Sequence, residues 1–371
     1  MAVPQAPGAL LIRADSGARI GVGHVMRCLS LAQAWQARGG TVTLASATPN
    51  PVLEPRLHQE GLRTAMLDCE IASAADAAAT VACARRFDAR WIILDGYQFD
   101  TEYQAQVRNG GCPVLQLDDY VQSPRFAVTA LLNQNLHADP AAYASAAPEV
   151  LLLLGNRYTL LRREFWPWRG RLRTHGGRVG RILVTLGGGD ADNVTGRVIE
   201  GLLPLLRDLD EVVVVAGANN PHWDALKALG SRASASLRLE RNVTDMTALL
   251  SGTDLAICGG GATCWEMAFF GIPFLPVVLA ENQRMIAESL DRAGVAVNLG
   301  WYDRLSPERI EDEVRTLLDA PGQLRSISER GQQLVDGWGC ERVLDALLAH
   351  TDKNQWRWGE APLISDPRPC G

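Results

Sequence analysis

The sequence predicts an α/β fold built as two domains that face one another across a cleft, and three observations carry that prediction. Short apolar runs alternate with helical stretches, a βαβα rhythm that implies parallel sheets with helices on both faces. The rhythm breaks once, at residues 166–180, and then restarts. Each half opens with a strand, a glycine-rich turn and a helix. A chain of 371 residues is long enough for two such domains, each with its own core.

In the first half, residues 9–12 (Ala-Leu-Leu-Ile) read as a short buried strand. Residues 24–38 read as a helix with Val25, Leu29, Ala32 and Trp35 on one face. A strand at 41–47, a proline-marked loop and an alanine-rich helix at 74–87 follow. The strand 91–94 ends at Asp95-Gly96-Tyr97, a helix spans about 101–109, and the strand 114–117 ends at Asp118-Asp119. Shorter apolar pieces lie at 131–132 and 151–154. The segment 166–180, rich in arginine and glycine, reads as a linker.

The second half repeats the pattern. Strand 181–186 runs into Gly187-Gly188-Gly189-Asp190, a helix spans about 194–206, and a strand lies at 212–216. Strand 254–258 runs into Gly259-Gly260-Gly261-Ala262-Thr263, a helix at 265–270 stops at Gly271, and strand 273–279 precedes Glu281-Asn282-Gln283. Helices fill much of 307–350. The expected organisation is a first domain over 1–165, a linker over 166–180, a second domain over 181–350 and a tail over 351–371. The tail, with Trp356 and Trp358, has no period.

A net charge of −6 with no basic run argues against a nucleic-acid face. Cysteines 28, 69, 83, 112, 258, 264, 340 and 370 show neither disulfide-framework nor zinc-site spacing, and read as reduced thiols of a cytoplasmic protein. No apolar run approaches the roughly 20 residues of a membrane span, and the amino terminus lacks the features of a signal peptide. Neither nucleic acid nor membrane is an expected partner, and the subunit count stays open.

The chemistry concentrates in the turn from Arg13 to Arg27, at the carboxyl end of the first strand, where open α/β sheets bind ligands. Gly21-Val22-Gly23-His24-Val25-Met26 begins like a dinucleotide fingerprint but has methionine where the third small residue belongs. No acidic residue ends the next strand, so nicotinamide and flavin are not expected. The two glycines let a ligand approach the backbone. His24, on the first turn of its helix beside Arg13, Asp15 and Arg27, is the candidate for proton chemistry. In the second half, Gly259–Thr263 and the helix after it form a candidate anion site, with free amides and the positive end of the helix dipole. A carboxylate at Glu266, one turn on, can bind a ribose hydroxyl pair or simply favour the helix dipole. Asp190-Ala191-Asp192 has the look of a metal-holding Asp-x-Asp, but Asp192 or Asn193 reads better as a helix cap. No further ligands complete a metal shell, so neither metal nor cofactor is expected.

These residues resemble the family of UDP-2,4-diacetamido-2,4,6-trideoxy-β-L-altropyranose hydrolases of pseudaminic acid biosynthesis. The resemblance rests on Arg13-Ala14-Asp15 through Gly21-x-Gly23-His24-x-x-Arg27, and on Leu153-Leu154-Gly155-x-x-Tyr158-x-Leu160-Leu161-Arg162-x-x-Phe165. It continues in Gly187-Gly188-x-Asp190-x-x-Asn193, Gly259 to Glu266, Glu281-Asn282-Gln283 and Asp336-Gly337-x-Gly339-x-x-Arg342. It implies two Rossmann-like domains in a GT-B arrangement, and hydrolytic release of UDP from a UDP-linked diacetamido-trideoxy sugar. The nucleotide would lie on Gly260, Gly261, Ala262, Thr263 and Glu266, with Gly188 and Gln283 close by. His24 would be the base that draws a proton from water attacking the anomeric carbon, and Asn282 would lie near the reacting centre. Arg13, Asp15, Gly21, Gly23, Arg27, Tyr97 and Tyr158 are then candidates for holding the substrate. A GT-B glycosyltransferase using a UDP-sugar donor is the alternative expectation. The resemblance departs at the second glycine loop, where many relatives have serines.

Overall fold

The computed structural model describes residues 6–354 apart from 18, 19, 50, 52, 219, 234, 235 and 244. Arg19 of the opening turn and residues 355–371, most of the expected tail, therefore lie outside the described residues. The first half runs β1 (Ala9–Ala14), α1 (Gly23–Ala37), β2 (Thr41–Ser46), α2 (Glu54–Gln59), β3 (Arg63–Met66), α3 (Ala74–Arg86) and β4 (Ala89–Asp95). It continues with α4 (Thr101–Asn109), β5 (Val114–Leu117), β6 (Ala130–Asn133), α5 (Pro140–Ala144) and β7 (Leu151–Leu154). These strands form one sheet in the order β3-β2-β1-β4-β5-β6-β7, parallel throughout.

After a 3₁₀ turn at Arg163–Trp168, the second half runs β8 (Arg181–Thr185), α6 (Val194–Leu202), β9 (Glu211–Ala216), α7 (Trp223–Arg232), β10 (Leu237–Arg241) and α8 (Thr247–Ser251). Then come β11 (Leu255–Gly259), α9 (Thr263–Phe269), β12 (Phe274–Val278), α10 (Glu281–Arg292) and β13 (Gly300–Trp301). Three helices close the described chain: α11 (Pro307–Leu318), α12 (Pro321–Leu334) and α13 (Gly339–Asn354). The second sheet is ordered β10-β9-β8-β11-β12-β13 and is also parallel.

The two-domain α/β expectation and the GT-B-like arrangement agree with this architecture. In each sheet the strand order reverses once, between β1 and β4 and again between β8 and β11. Ligands of open α/β sheets bind outside the strand carboxyl ends at such a reversal. The two glycine turns, after β1 and after β11, lie at these two points.

Three features differ from expectation for clear physical reasons. The helix expected over 194–206 stops as α-helix at Leu202, and a 3₁₀ turn takes over at Leu203–Asp208. Pro204 lacks the amide that would continue the α-helical ladder. Strands β3 and β10 lie at sheet edges and carry Arg63-Thr-Ala-Met and Leu237-Arg-Leu-Glu-Arg, too short or too charged to read as buried strands. The last helix, counted with the second half, packs on the first lobe. Cys340, Val343, Leu344 and Leu347 join Leu29, Trp35 and Trp91 in one buried cluster, and Trp91 Nε1 donates to Thr351 Oγ1 at 2.7 Å. The chain thus crosses between the lobes twice.

Candidate active site between the lobes

Ala14, the last residue of β1, pairs with Asp95, the last of β4. Helix α1 starts nine residues after β1 ends, and its second residue is His24. This brings His24 over the carboxylate that closes the neighbouring strand. Its Nδ1 lies 2.6 Å from Asp95 Oδ1. Arg27, one turn further along α1, donates from Nε to Asp95 Oδ2 at 2.7 Å and from Nη2 to Oδ1 at 2.6 Å. Its Nη1 donates to Asp119 Oδ1 at 2.7 Å, just past β5. Burial alone would raise the Asp95 carboxyl, but Arg27 and then His24 outweigh it and hold the group well below the usual carboxylate range. An ionised Asp95 accepts a hydrogen bond from Nδ1–H of a neutral imidazole, which leaves the Nε2 lone pair as the acceptor. Nε2 has no hydrogen-bond partner among the described residues.

Tyr97 covers this pair. Its ring meets His24 edge to face, with centroids 5.0 Å apart, and its hydroxyl donates to Asp119 Oδ2 at 2.5 Å. Burial first, and the negative charge of Asp119 next, push the Tyr97 phenol far above its ordinary range, so it stays a neutral donor. The same hydroxyl accepts from Asn282 Nδ2 at 2.8 Å, which joins the two lobes directly beside His24. His137 lies 2.8 Å through Nε2 from the Asp119 carbonyl.

The second lobe presents its own strand ends. Gly188 faces Val22 of the first lobe: a methyl group added there would lie 3.5 Å from Val22 Cγ2. The Gly187–Gly189 turn after β8 therefore lies close to the first lobe's glycine turn. Gly21, at φ +76°, takes the left-handed conformation that lets its turn fold back. Helices α1, α9 and α10 all begin without a side-chain cap. At α9 the Cys264 and Trp265 amides bond back to the Gly261 and Ala262 carbonyls at 3.0 and 3.1 Å, so the amides left for an anion are those of Gly261 to Thr263. Helix α6 differs, because Asp190 accepts from Val194 N at 2.6 Å and Thr195 N at 3.0 Å. The Asp-x-Asp acid is a cap, as expected, but the residue is Asp190 and not Asp192 or Asn193.

The structure places the remaining expected residues as follows. Gly260 and Gly261 lie against Gln283, whose Oε1 accepts from Leu279 N at 3.0 Å. Ala262 is exposed and Thr263 half-buried at the start of α9. Glu266 is buried and paired with Arg162 Nη2 at 2.9 Å. Arg13 and Asp15, expected to face a ligand, need correction. Both are buried, and Arg13 donates twice to Asp76, from Nε at 2.9 Å and Nη2 at 2.7 Å. Its third nitrogen lies 2.7 Å from Asp15, so the guanidinium is surrounded by protein. Tyr158 packs against the first-lobe core beside α13 and shares no hydrogen bond with the His24 cluster. In the sequence, Asp95 and Asp119 stand only as acids at strand ends, with no motif that marks a role. The rule that strand ends at a reversal face the ligand would have found Asp95.

A two-lobed GT-B-like molecule with a histidine–aspartate pair at the interlobe gap is the class these observations define. Residues 182–335 match the profile of the glycosyltransferase family 28 C-terminal domain. The spore coat polysaccharide biosynthesis protein SpsG of Bacillus subtilis is 27% identical over 168 residues, 45% of this chain and 49% of that protein. The UDP-N-acetylglucosamine–N-acetylmuramyl-(pentapeptide) pyrophosphoryl-undecaprenol N-acetylglucosamine transferase of Xylella fastidiosa is 31% identical over 46% of this chain and 49% of its own. The chain thus spans about half the length of the curated relatives it matches. The crystal structure of Acinetobacter baumannii MurG superposes with a TM-score of 0.61 at 19% identity, over 92% of this chain and 99% of that one. That likeness shows the fold. No helix among the described residues is long and apolar enough to cross a membrane.

Proposed function

We propose that the protein is a nucleotide-sugar enzyme that cleaves the anomeric bond of a UDP-sugar and transfers the glycosyl group to a hydroxyl acceptor. The observation that carries this reading is the His24–Asp95 pair, with a free Nε2 beside the interlobe Tyr97–Asn282 hydrogen bond. UDP lies on the second lobe, its pyrophosphate at the Gly259–Thr263 turn, where the start of α9 stabilises the charge of the departing diphosphate. His24 Nε2 takes the proton of the attacking hydroxyl from the opposite lobe, and Asp95 stabilises the imidazolium that forms. A base facing the leaving group across the anomeric carbon gives inversion. Asn282 and Tyr97 fix the acceptor side, and Gly21, Gly23 and Gly188 let the substrate approach the backbone. The family profile over the second lobe and the glycosyltransferase relatives support transfer.

Hydrolysis is the second reading, with water in the acceptor's place and a UDP-2,4-diacetamido-2,4,6-trideoxy sugar as substrate. The motif Gly21-x-Gly23-His24-x-x-Arg27 favours it, because it resembles the hydrolase family. Both readings share the donor, the leaving group and the base. Incubating the protein with a panel of UDP-sugars in water labelled with heavy oxygen, with and without saccharide acceptors, separates them. Transfer predicts UDP release that depends on acceptor and a glycoside of inverted configuration. UDP release without acceptor, with label in the free sugar, would replace transfer by hydrolysis. No release from any UDP-sugar would remove both.

A further inference from the structure

A ladder of alternating charges runs from the first lobe, through the connector, to the helix behind the second glycine turn. Arg56 of α2 pairs with Glu164 at 3.3 Å. Arg162, at the start of the connector's 3₁₀ turn, donates from Nε to the same Glu164 oxygen at 2.6 Å. Its Nη2 lies 2.9 Å from Glu266 Oε1 on α9. The other Glu266 oxygen has no hydrogen-bond partner among the described residues.

Packing fixes the geometry. The Arg162 guanidinium lies over the Phe165 ring at 5.4 Å. Phe165 is wholly buried, and its ring meets Phe269 and Phe270 edge to face at 6.2 and 5.9 Å, at the far end of α9. Connector and α9 therefore hold Arg162 and Glu266 as one unit. Burial raises the Glu266 carboxyl and Arg162 opposes that rise, with a net upward shift even so. Without the guanidinium the carboxyl would rise further, and a protonated acid is the poorer acceptor for two hydroxyls.

We infer that Arg162 is a positioning residue for the nucleotide ribose: it holds Glu266 turned so that its free oxygen accepts from the ribose hydroxyls. The inference rests on the proposed seat of UDP at Gly259–Thr263 and adds a specificity to it, for ribonucleotides over 2′-deoxyribonucleotides. Arg162 acts through Glu266 and does not touch the reacting atoms.

Calorimetric binding of UDP and of 2′-deoxy-UDP, to wild type, Arg162→Gln, Glu266→Gln and the double variant, tests this. Wild type should prefer UDP by about 10- to 100-fold, the worth of a hydrogen bond to a charged acceptor. Arg162→Gln should weaken UDP binding by a similar factor, bind the deoxy analogue nearly as before and so lose the preference. The double variant should bind UDP no more weakly than Glu266→Gln alone, because the arginine works through that carboxylate. A ribose preference retained in Arg162→Gln, or additive losses in the double variant, would overturn the inference. If Arg162→Gln does not fold, Arg162→Lys takes its place. Lysine keeps the charge without the fork that holds Glu164 and Glu266 together, so a reduced preference is expected and an unchanged one overturns the inference. A wild-type protein that binds neither nucleotide overturns the nucleotide site itself. Tight UDP binding with no preference over the deoxy analogue overturns the ribose role alone.

Discussion

Two arginine–aspartate clusters sit side by side at the carboxyl edge of the first sheet, and they differ in what closes them. Arg13, Asp15 and Asp76 form a sealed cluster. Tyr103 and Thr80 hydroxyls donate to Asp76 Oδ1 at 3.0 and 3.2 Å, and Ser46 Oγ and Ala47 N donate to Asp15 at 2.9 and 2.8 Å. Arg27, Asp95 and Asp119 use the same residue types, but one neighbour is the imidazole of His24, and the cover is a tyrosine bonded to the other lobe. Similar charges are therefore sealed by protein in one place, and in the other border the ring nitrogen we propose as the base. What separates them is a free ring nitrogen and a cover whose hydroxyl is bonded to the other lobe.

That contrast can be attacked from either side. His24→Ala should lower turnover by about 10²- to 10⁴-fold, the usual worth of a positioned acid–base group, with UDP affinity unchanged. Near-wild-type turnover, measured by UDP release, would place the base elsewhere. Asp76→Asn should act on stability instead. Taking one charge from a buried ion pair costs about 3–5 kcal/mol, which denaturant unfolding would register, and enough folded protein at low temperature should keep its turnover number. A loss of turnover with unchanged stability would make the sealed cluster part of the site.

Tyr97→Phe is expected to cost less, about 1 kcal/mol for the hydrogen bonds it forgoes. It should raise KM more than it lowers kcat, since Asn282 then loses its partner across the gap. A further effect, read as a slope in pH, concerns Asp118, buried with its Oδ2 accepting from Tyr143 at 2.5 Å. Burial, and next to it the charge of Asp119, push its carboxyl up to about 7 from an ordinary 3.8. The folded state holds that proton more tightly than the unfolded chain, so its contribution to stability is present at low pH and fades as pH rises from 3.8 through about 7. Thermal unfolding of Asp118→Asn between pH 5 and 8 should show a flatter slope than wild type. Parallel slopes would mean that Asp118 does not titrate there.

Much of this was legible because it is local. The strands announce themselves as apolar runs, the glycine turns sit where parallel strands end, and His24 falls on the first turn of its helix by simple spacing. The sequence does not state which carboxylate meets which base. Asp95 lies 71 residues from His24 and Asp76 lies 63 residues from Arg13, distances that strand order closes and no local pattern encodes. Arg13 therefore read like Arg27, although one is sealed and the other reaches the gap. Helix α13 posed the same difficulty, because its period marks a helix without saying which lobe's apolar face receives it.

The most direct test of the account is a crystal structure of the protein with UDP. The account predicts uridine diphosphate on the second lobe, its phosphates at the amides of Gly261 to Thr263 and its β-phosphate turned toward His24 Nε2 across the gap. Phosphates bound on the first lobe's Gly21–Gly23 turn, or a nucleotide whose diphosphate points away from His24, would contradict it.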